Sequence, residues 1–507
     1  MIFVIAILIG LAIVCTGAKA RRQRVEDANR PFEPSKVLGS AGFVTDKQLK
    51  KAGYFKKGGI RLGFSPSGKH PLYYHGFGHI LLVAGARMGK AFTVVVATIL
   101  SLGRRCLLVF DPKCELTLIT AFFRRCFGRV IVVNPFRSWA SLMVGLTMGC
   151  YNVMDLLDPL SPEFHVMCDK IADIFKPPAS NADPHFWETG ARALSGTIAA
   201  LKKYGHPDDQ NLIAVRTILT GASGMTFFEF ARKCMECDDI YIKQKLARFA
   251  EVGAEQSKEL FSVLSSVDTR TAWMANETMA AALSSSNFRF RDLKRERGMS
   301  IYICLPLNTL DVSFPFFALM MMCVLWELLD EGITGPSVLA IVDEAAQIPF
   351  FKAWQDAWGM AAGAAGLQIF AIYQDVSQII TQMGKSSYST VIQNCGATLW
   401  FGAKDQVTRE TVSQLSGTAE VITSSRSVSI DPRTGEPNVS NSKGQQSRPL
   451  LHPDEIGSIG PDKMVMFCEG VNGVVMATRK PYLKEFRGKY RDNPYFIGGG
   501  FWSKLWK

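Results

Sequence analysis

The sequence predicts an α/β fold, in which a parallel sheet covered by helices is interrupted by an inserted all-α domain and preceded by one N-terminal transmembrane helix. Three patterns predict it. Short apolar runs alternate with amphipathic stretches from Ile80 onward, the alternation gives way to helical spacing between Asp155 and Arg295, and the chain opens on an uncharged apolar run.

The strand candidates are Ile80 to Ala84, Cys106 to Phe110, Val130 to Val133, Ile301 to Leu305, Val338 to Val342, Gln368 to Tyr373 and Ala397 to Phe401. Such short, largely apolar runs suit strands buried on both faces of a parallel sheet. Helical periodicity governs Glu163 to Phe175, Trp187 to Lys203, Met225 to Cys234 and Ser257 to Leu283, with no strand-like run among them. The economical arrangement is an α/β domain at 59–154 and 296–485 that carries an all-α domain at 155–295. The Ser-, Gly-, Asn- and Pro-rich stretch from Thr423 to Arg448 is expected as a surface loop or hairpin.

At about 1.5 Å per residue, the run from Met1 to Ala18 spans about 27 Å, close to the hydrocarbon thickness of a thin bilayer. Lys19, Arg21, Arg22 and Arg24 follow at once. Ala18-Lys19-Ala20 offers the competing reading, a cleaved signal peptide. No basic residue precedes the apolar run, however, and the cluster after it suits the cytoplasmic side. A retained single-pass anchor at 1–18, a juxtamembrane linker at 19–58 and a cytoplasmic body are therefore expected. The tail at 486–507 ends on three glycines and an aromatic, basic tip, read as a frayed end, with docking on a partner or on headgroups as the alternative.

With 507 residues, 48% hydrophobic and 20% charged, the chain can bury a large core, which excludes a wholly disordered protein. A net charge of +12 points to anionic neighbours such as nucleic acid or lipid. Twelve cysteines without a repeated spacing exclude a disulfide scaffold and read as reduced thiols. Cys234 and Cys237 form a lone CxxC that lacks the second pair a zinc site needs.

The run to Ala84 leads into Gly85-Ala86-Arg87-Met88-Gly89-Lys90-Ala91 and then an apolar helical stretch. A glycine-containing turn between strand and helix exposes backbone N–H groups that cradle phosphates, with Lys90 reaching the β- and γ-oxygens. Ala84 stands where the first glycine of that pattern belongs, and Ala91 where Ser or Thr would ligate Mg²⁺. Val338 to Val342 ends on Asp343-Glu344. Asp343 would hold Mg²⁺ through its water shell, and Glu344 would orient and deprotonate an attacking water. A strand that merely ends at the surface would also carry carboxylates there. Ile369 to Tyr373 is capped by Gln374, where a polar side chain can sense a γ-phosphate. Lysine loop, acidic pair and polar strand end, in that order, point to ATP and Mg²⁺, with Lys90, Glu344 and Gln374 as the catalytic set.

These residues resemble the type IV secretion coupling proteins, conjugative ATPases related to RecA-like and FtsK-like motors. The resemblance runs from about Gly59 to Leu483. It includes Leu108-Val109-Phe110-Asp111-Pro112-Lys113-Cys114-Glu115, Val133-Asn134-Pro135-Phe136, Phe186-Trp187-Glu188, Gln374 with Ser377-Gln378, Asn394-Cys395, and Arg448-Pro449-Leu450-Leu451 ahead of Pro453-Asp454-Glu455. It implies a RecA-like P-loop nucleotide-binding domain carrying an all-α domain, an anchor in a bacterial inner membrane and a homo-hexameric ring. The implied partners are DNA, single-stranded in transit, with or without an attached relaxase, effector proteins, and the channel subunits.

The departures are one short span where many relatives have two, Cys114 in place of the motif glycine, and Ala91 without a hydroxyl. A ring ATPase expects an arginine finger. No arginine lies between Glu344 and Gln374; Arg409 is one candidate, with an arginine on a helix surface as the plainer reading. Arg104, Arg105, Arg124, Arg125 and Arg129 are the candidate DNA-facing charges, with solvated helix and loop faces as the plainer reading for most of them. Three functions compete: a motor passing DNA through a ring, a docking platform that selects protein substrates, and a catalytically silent membrane scaffold.

Overall fold

A computed structural model of the chain describes residues 38–176, 184–251, 257–305, 309–332, 337–348, 352–430 and 437–496. The expected anchor at 1–18 and the aromatic tip lie outside the described residues, among which no helix is long and apolar enough to cross a membrane.

The strands are β1 (Ile60–Phe64), β2 (Pro71–Tyr74), β3 (His79–Val83), β4 (Cys106–Asp111), β5 (Val130–Val133), β6 (Thr147–Met148), β7 (Ser300–Cys304), β8 (Val338–Val342), β9 (Leu367–Tyr373), β10 (Cys395–Trp400), β11 (Thr418–Ile430), β12 (Pro437–Pro449), β13 (Lys463–Cys468) and β14 (Val475–Thr478). One sheet has the order β2-β1-β14-β13-β10-β3-β9-β8-β4-β7-β5-β6. From β10 to β6 neighbours are parallel, and β13, β14, β1 and β2 extend it antiparallel. Every strand read from the sequence lies in the parallel part, where burial on both faces demands an unbroken apolar run; β3, β4, β5, β7, β8 and β9 are buried along their whole length. The antiparallel wing escaped that reading because Arg61, Gly63, Pro71, Lys463 and Thr478 break its pattern.

Between β6 and β7 the described chain is helical: Phe164–Asp173, Pro184–Tyr204, Leu212–Leu219, Phe227–Cys234, Ile240–Ala250, Ser257–Thr271, Glu277–Leu283 and Asp292–Arg295. The stretch of helical periodicity from Ser257 to Leu283 is two helices, Ser257–Thr271 and Glu277–Leu283. Asn276 leaves helical geometry, with ψ 129°, and its side chain accepts from the N–H groups of Thr278 and Met279, which starts a new helix. Thr226 and Glu229 form a reciprocal capping box, and Asp239 caps Ile240–Ala250.

Two chain crossings join this helical segment to the sheet, and Glu327 grips both. It lies on the helix Leu310–Asp330, whose Phe317 ring packs edge-on against Phe110 of β4. The Glu327 carboxylate is 1% exposed. It accepts from Tyr151 Oη at 3.1 Å on the way in, and from Arg289 Nε at 2.5 Å and the Arg291 N–H at 2.9 Å on the way out. Ser286 Oγ bonds Asp155 at 2.7 Å and accepts from the Asn152 N–H at 2.9 Å, stitching the crossings to each other.

Contacts divide the described chain into two compact units, Phe43–Val412 with the chain from Pro453 onward, and residues 38–42 with Ser413–His452. In the smaller unit β11 and β12 pair antiparallel from Thr418 with Pro449 to Ile430 with Pro437, and Ser40 bridges to Ala419. The polar stretch is thus a long hairpin.

The DNA-facing reading of the arginines requires correction. Arg124 is fully buried: its guanidinium donates to Ser300 Oγ and to the carbonyls of Gly103, Arg105 and Gly298, so it staples strand entrances together. Arg105 is half-buried and bonded to Gln368, and Arg129 pairs with Asp292 and Glu296. Arg104, Arg125 and Arg129 remain exposed.

Glu327→Ala strands two arginines and a tyrosine that now share one buried carboxylate. The expected loss of stability is about 3–4 kcal/mol, seen as a lower urea midpoint.

Candidate active site

The carboxyl ends of β3, β9, β8 and β4 are neighbours, so the residues that follow these strands meet in one crevice. After β3 the chain turns through Arg87 and Gly89, whose φ values are 61° and 76°. The Met88 N–H closes a turn onto the Gly85 carbonyl at 3.3 Å. A helix then opens at Ala91 with a π turn to Val95 and continues as α-helix to Ser101. Gly85, Ala86, Arg87, Met88, Gly89, Lys90 and Ala91 therefore form a tight strand-to-helix loop, and π turns recur at functional sites. Thr93 donates its hydroxyl to the Gly89 carbonyl at 2.8 Å, and Ala91 has no hydroxyl to offer a cation.

Lys90 reaches across the crevice to Glu344, Nζ to Oε1, at 3.2 Å. Glu344 follows β8 with a φ of 55°, the left-handed region, and heads the short helix Ala345–Gln347. A non-glycine residue held there stores strain of the kind that collects at functional sites. Its other oxygen accepts from Gln374 Nε2 at 3.0 Å, and Gln374 is itself fixed by its N–H to Gln378 Oε1 at 2.9 Å. Lys90 and Gln374 thus both contact Glu344, and Asp343 precedes it in the chain, 7% exposed.

Lys113 also belongs to the crevice. It follows β4, and its Nζ lies 2.6 Å from Glu344 Oε1. Burial pushes the Glu344 carboxyl up, but Lys90, Lys113 and the Gln374 bond overcome it and hold the group well below the usual carboxylate range. Asp343 moves the other way: burial raises it and Glu344 adds to that, against Lys90 and Lys113. Asp111, fully buried, accepts from Thr117 N–H and Oγ1 on one oxygen, while the other has no partner. Burial pushes its carboxyl up to about 7 against those two bonds.

The C-terminal part of the chain supports the loops from outside. Arg479, 1% exposed, donates Nη1 to the Met88 carbonyl at 2.8 Å and Nε to Lys463, and lies 3.8 Å over the Phe401 ring. Tyr495 Oη donates to the Lys113 carbonyl at 2.7 Å. Arg409, the candidate finger, is turned inward to the carbonyls of Ala403 and Lys404 at 3.0 and 2.7 Å. Within its own chain it braces the loop after β10.

The family model for type IV secretory system conjugative DNA transfer matches residues 35–495. The chain belongs to this family. The likeness drawn from the motifs is therefore borne out. Among curated relatives, the conjugal transfer protein TraG of Agrobacterium fabrum is 25% identical over 428 residues, covering 81% of this chain and 62% of TraG. The probable conjugal transfer protein TraG of Sinorhizobium fredii is 22% identical, covering 88% and 69%. The chain thus spans about three fifths of the length of the first of these, 62%. Among solved structures, the plasmid coupling protein TrwB in complex with ADP and Mg²⁺ superposes with a TM-score of 0.63 at 16% identity, covering 89% of this chain and 96% of that one. Unbound TrwBΔN70 gives 0.62 at 15%, covering 87% and 93%. The conjugative coupling fold is therefore shared.

In this family member the sequence reading missed Lys113, Asp111, Arg479 and Tyr495 as parts of the crevice. Lys113 carried a signal, a charged residue just after an apolar strand. Arg479 and Tyr495 carried none, because their places depend on contacts made across hundreds of residues.

A carboxyl raised to about 7 favours the folded state most when protonated, so its contribution is present below about pH 4 and is lost as pH rises through about 7. Asp111→Asn keeps an acceptor for Thr117 and removes the titration. Its urea midpoint should fall less than that of the wild type between pH 4 and pH 8.

Proposed function

We propose that the crevice binds ATP with Mg²⁺ and hydrolyses it, and that this turnover drives DNA transfer by a membrane-anchored coupling protein. The observation that carries the proposal is the meeting of Lys90, Glu344 and Gln374 at the ends of three adjacent parallel strands. TrwB, alike in fold, has been solved with ADP and Mg²⁺ and with a non-hydrolysable ATP analogue. The donor set suits Mg²⁺: Asp343 is a hard, buried oxygen ligand whose raised proton affinity marks a charge in need of compensation. Bound there through water, Mg²⁺ would neutralise phosphate oxygens.

Lys90 is paired with Glu344. A triphosphate in the loop from Gly85 to Ala91 offers Lys90 a more highly charged partner. With Lys90 drawn to the β- and γ-oxygens, Glu344 is released to take a proton from the attacking water. Gln374, at the head of the helix Val376–Met383, links the state of Glu344 to the protein beyond.

The wider assignment follows the family: an anchor at 1–18 in a bacterial inner membrane, a cytoplasmic homo-hexamer with an arginine supplied by the neighbouring subunit, and delivery of DNA, relaxase-bound DNA or effector protein to channel subunits. The helical segment 155–295 is assigned to substrate choice, and the sheet domain at 59–154 and 296–485 to force. A second reading, a docking scaffold that binds nucleotide without turning it over, is favoured by Ala91 and by the two lysines that hold Glu344.

Nucleotide affinity and turnover, with and without single-stranded DNA, separate the readings. Lys90→Ala should lose both binding and turnover, whereas Glu344→Gln should keep ATP and slow hydrolysis by about 10²- to 10⁴-fold. Wild-type protein that binds ATP and never hydrolyses it would leave the scaffold.

A further inference from the structure

We propose that Lys113 is a second phosphate-binding cation of the crevice, specific for the γ-phosphate, and that Asn493 and Tyr495 position it. This rests on the nucleotide reading above.

Lys90 and Lys113 donate to the same atom, Glu344 Oε1, at 3.2 and 2.6 Å. One carboxylate oxygen offers two lone pairs, so both are taken, and Gln374 holds the other oxygen. Two ammonium groups that converge on one oxygen are close enough to share one phosphoryl group. They approach from opposite sides: Lys90 begins the helix after β3, and Lys113 follows β4, with β9 and β8 between the two strands. A group lying between them is the terminal phosphate, because the inner phosphates are wrapped by the backbone of the loop that ends in Lys90. Lysine binds phosphate as a mobile point charge on a flexible stem. The Lys113 side chain is 29% exposed, so its tip can move from Glu344 to a ligand oxygen without unpacking the core.

The backbone of Lys113 is pinned from the C-terminal segment. Tyr495 Oη donates to its carbonyl at 2.7 Å, and Trp139 Nε1 in turn donates to Tyr495 Oη at 3.1 Å. Cys114 takes the left-handed conformation at φ 57°, and Glu115 Oε1 accepts from Asn493 Nδ2 at 2.5 Å. The turn that carries Lys113 is thus pinned by bonds from the C-terminal segment. Asn493 and Tyr495 act through Lys113 and are positioning residues.

The test is calorimetric binding of Mg-ADP and of a non-hydrolysable Mg-ATP analogue to the full chain in detergent. Lys113→Gln should weaken the analogue about tenfold or more, the scale of one lost bond to a charged group, while ADP affinity stays within about twofold. Lys113→Arg should recover part of the selectivity. Tyr495→Phe, which removes only the hydroxyl, should give a smaller loss confined to the analogue. A Lys113→Gln protein that weakens both nucleotides equally, or neither, overturns the proposal and leaves the nucleotide reading standing. Wild-type protein that binds neither nucleotide overturns both.

Discussion

The Glu344 carboxylate is where four separate parts of the chain converge. It follows β8, and it is bonded by Lys90 after β3, Lys113 after β4 and Gln374 after β9. None of these bonds can form unless the four strands are neighbours and in register. Val342 of β8 sits opposite Phe110 of β4 and Ala371 of β9, and Val83 of β3 opposite Tyr373 of β9. The parallel sheet is therefore the device that sets side-chain positions in the crevice. A slip of one residue in any pairing would turn the following side chain away. The same convergence explains the left-handed backbone at Glu344: three donors hold the residue in a conformation it would not adopt alone.

Charge balance shapes what that cluster can do. Two lysines offset Glu344 and partly offset Asp343, while Asp111, deeper and with an unpartnered oxygen, is kept closer to neutrality. Glu344 is the acid of the cluster least disposed to take a proton, since both its oxygens are already engaged. Binding of an anion that competes for Lys90 raises its basicity. In the ATPase reading proposed above, substrate arrival and base activation are one electrostatic event.

The parallel half of the fold was legible because burial on both faces leaves a chemical trace, a short apolar run, at each strand. Lys90, Asp343, Glu344 and Gln374 were legible for the same reason, each following such a run. The antiparallel wing left no such trace, with Arg61 in β1 and Pro71 opening β2. Lys113 stood in a recognised motif, yet its partner depends on β4 lying beside β8, a pairing that bridges more than 200 residues, Phe110 to Val342. Arg124 misled the reading in the opposite direction. An arginine in a basic run looks solvated, and only the fold reveals that three carbonyls and a hydroxyl enclose it.

The grip of Glu327 on both crossings of the helical segment has a mechanical meaning. A body joined to its support by one thread can swivel; a body joined at two points to the same rod turns only when the rod turns. Here the rod is the helix Leu310–Asp330, and the chain leaving it enters β8, the strand that ends at Asp343 and Glu344. The segment from Phe164 to Arg295 is therefore geared to the strand of the acidic pair. A tilt of that helix reaches both the segment and the crevice, and independent swivelling of the segment requires breaking buried bonds to one carboxylate.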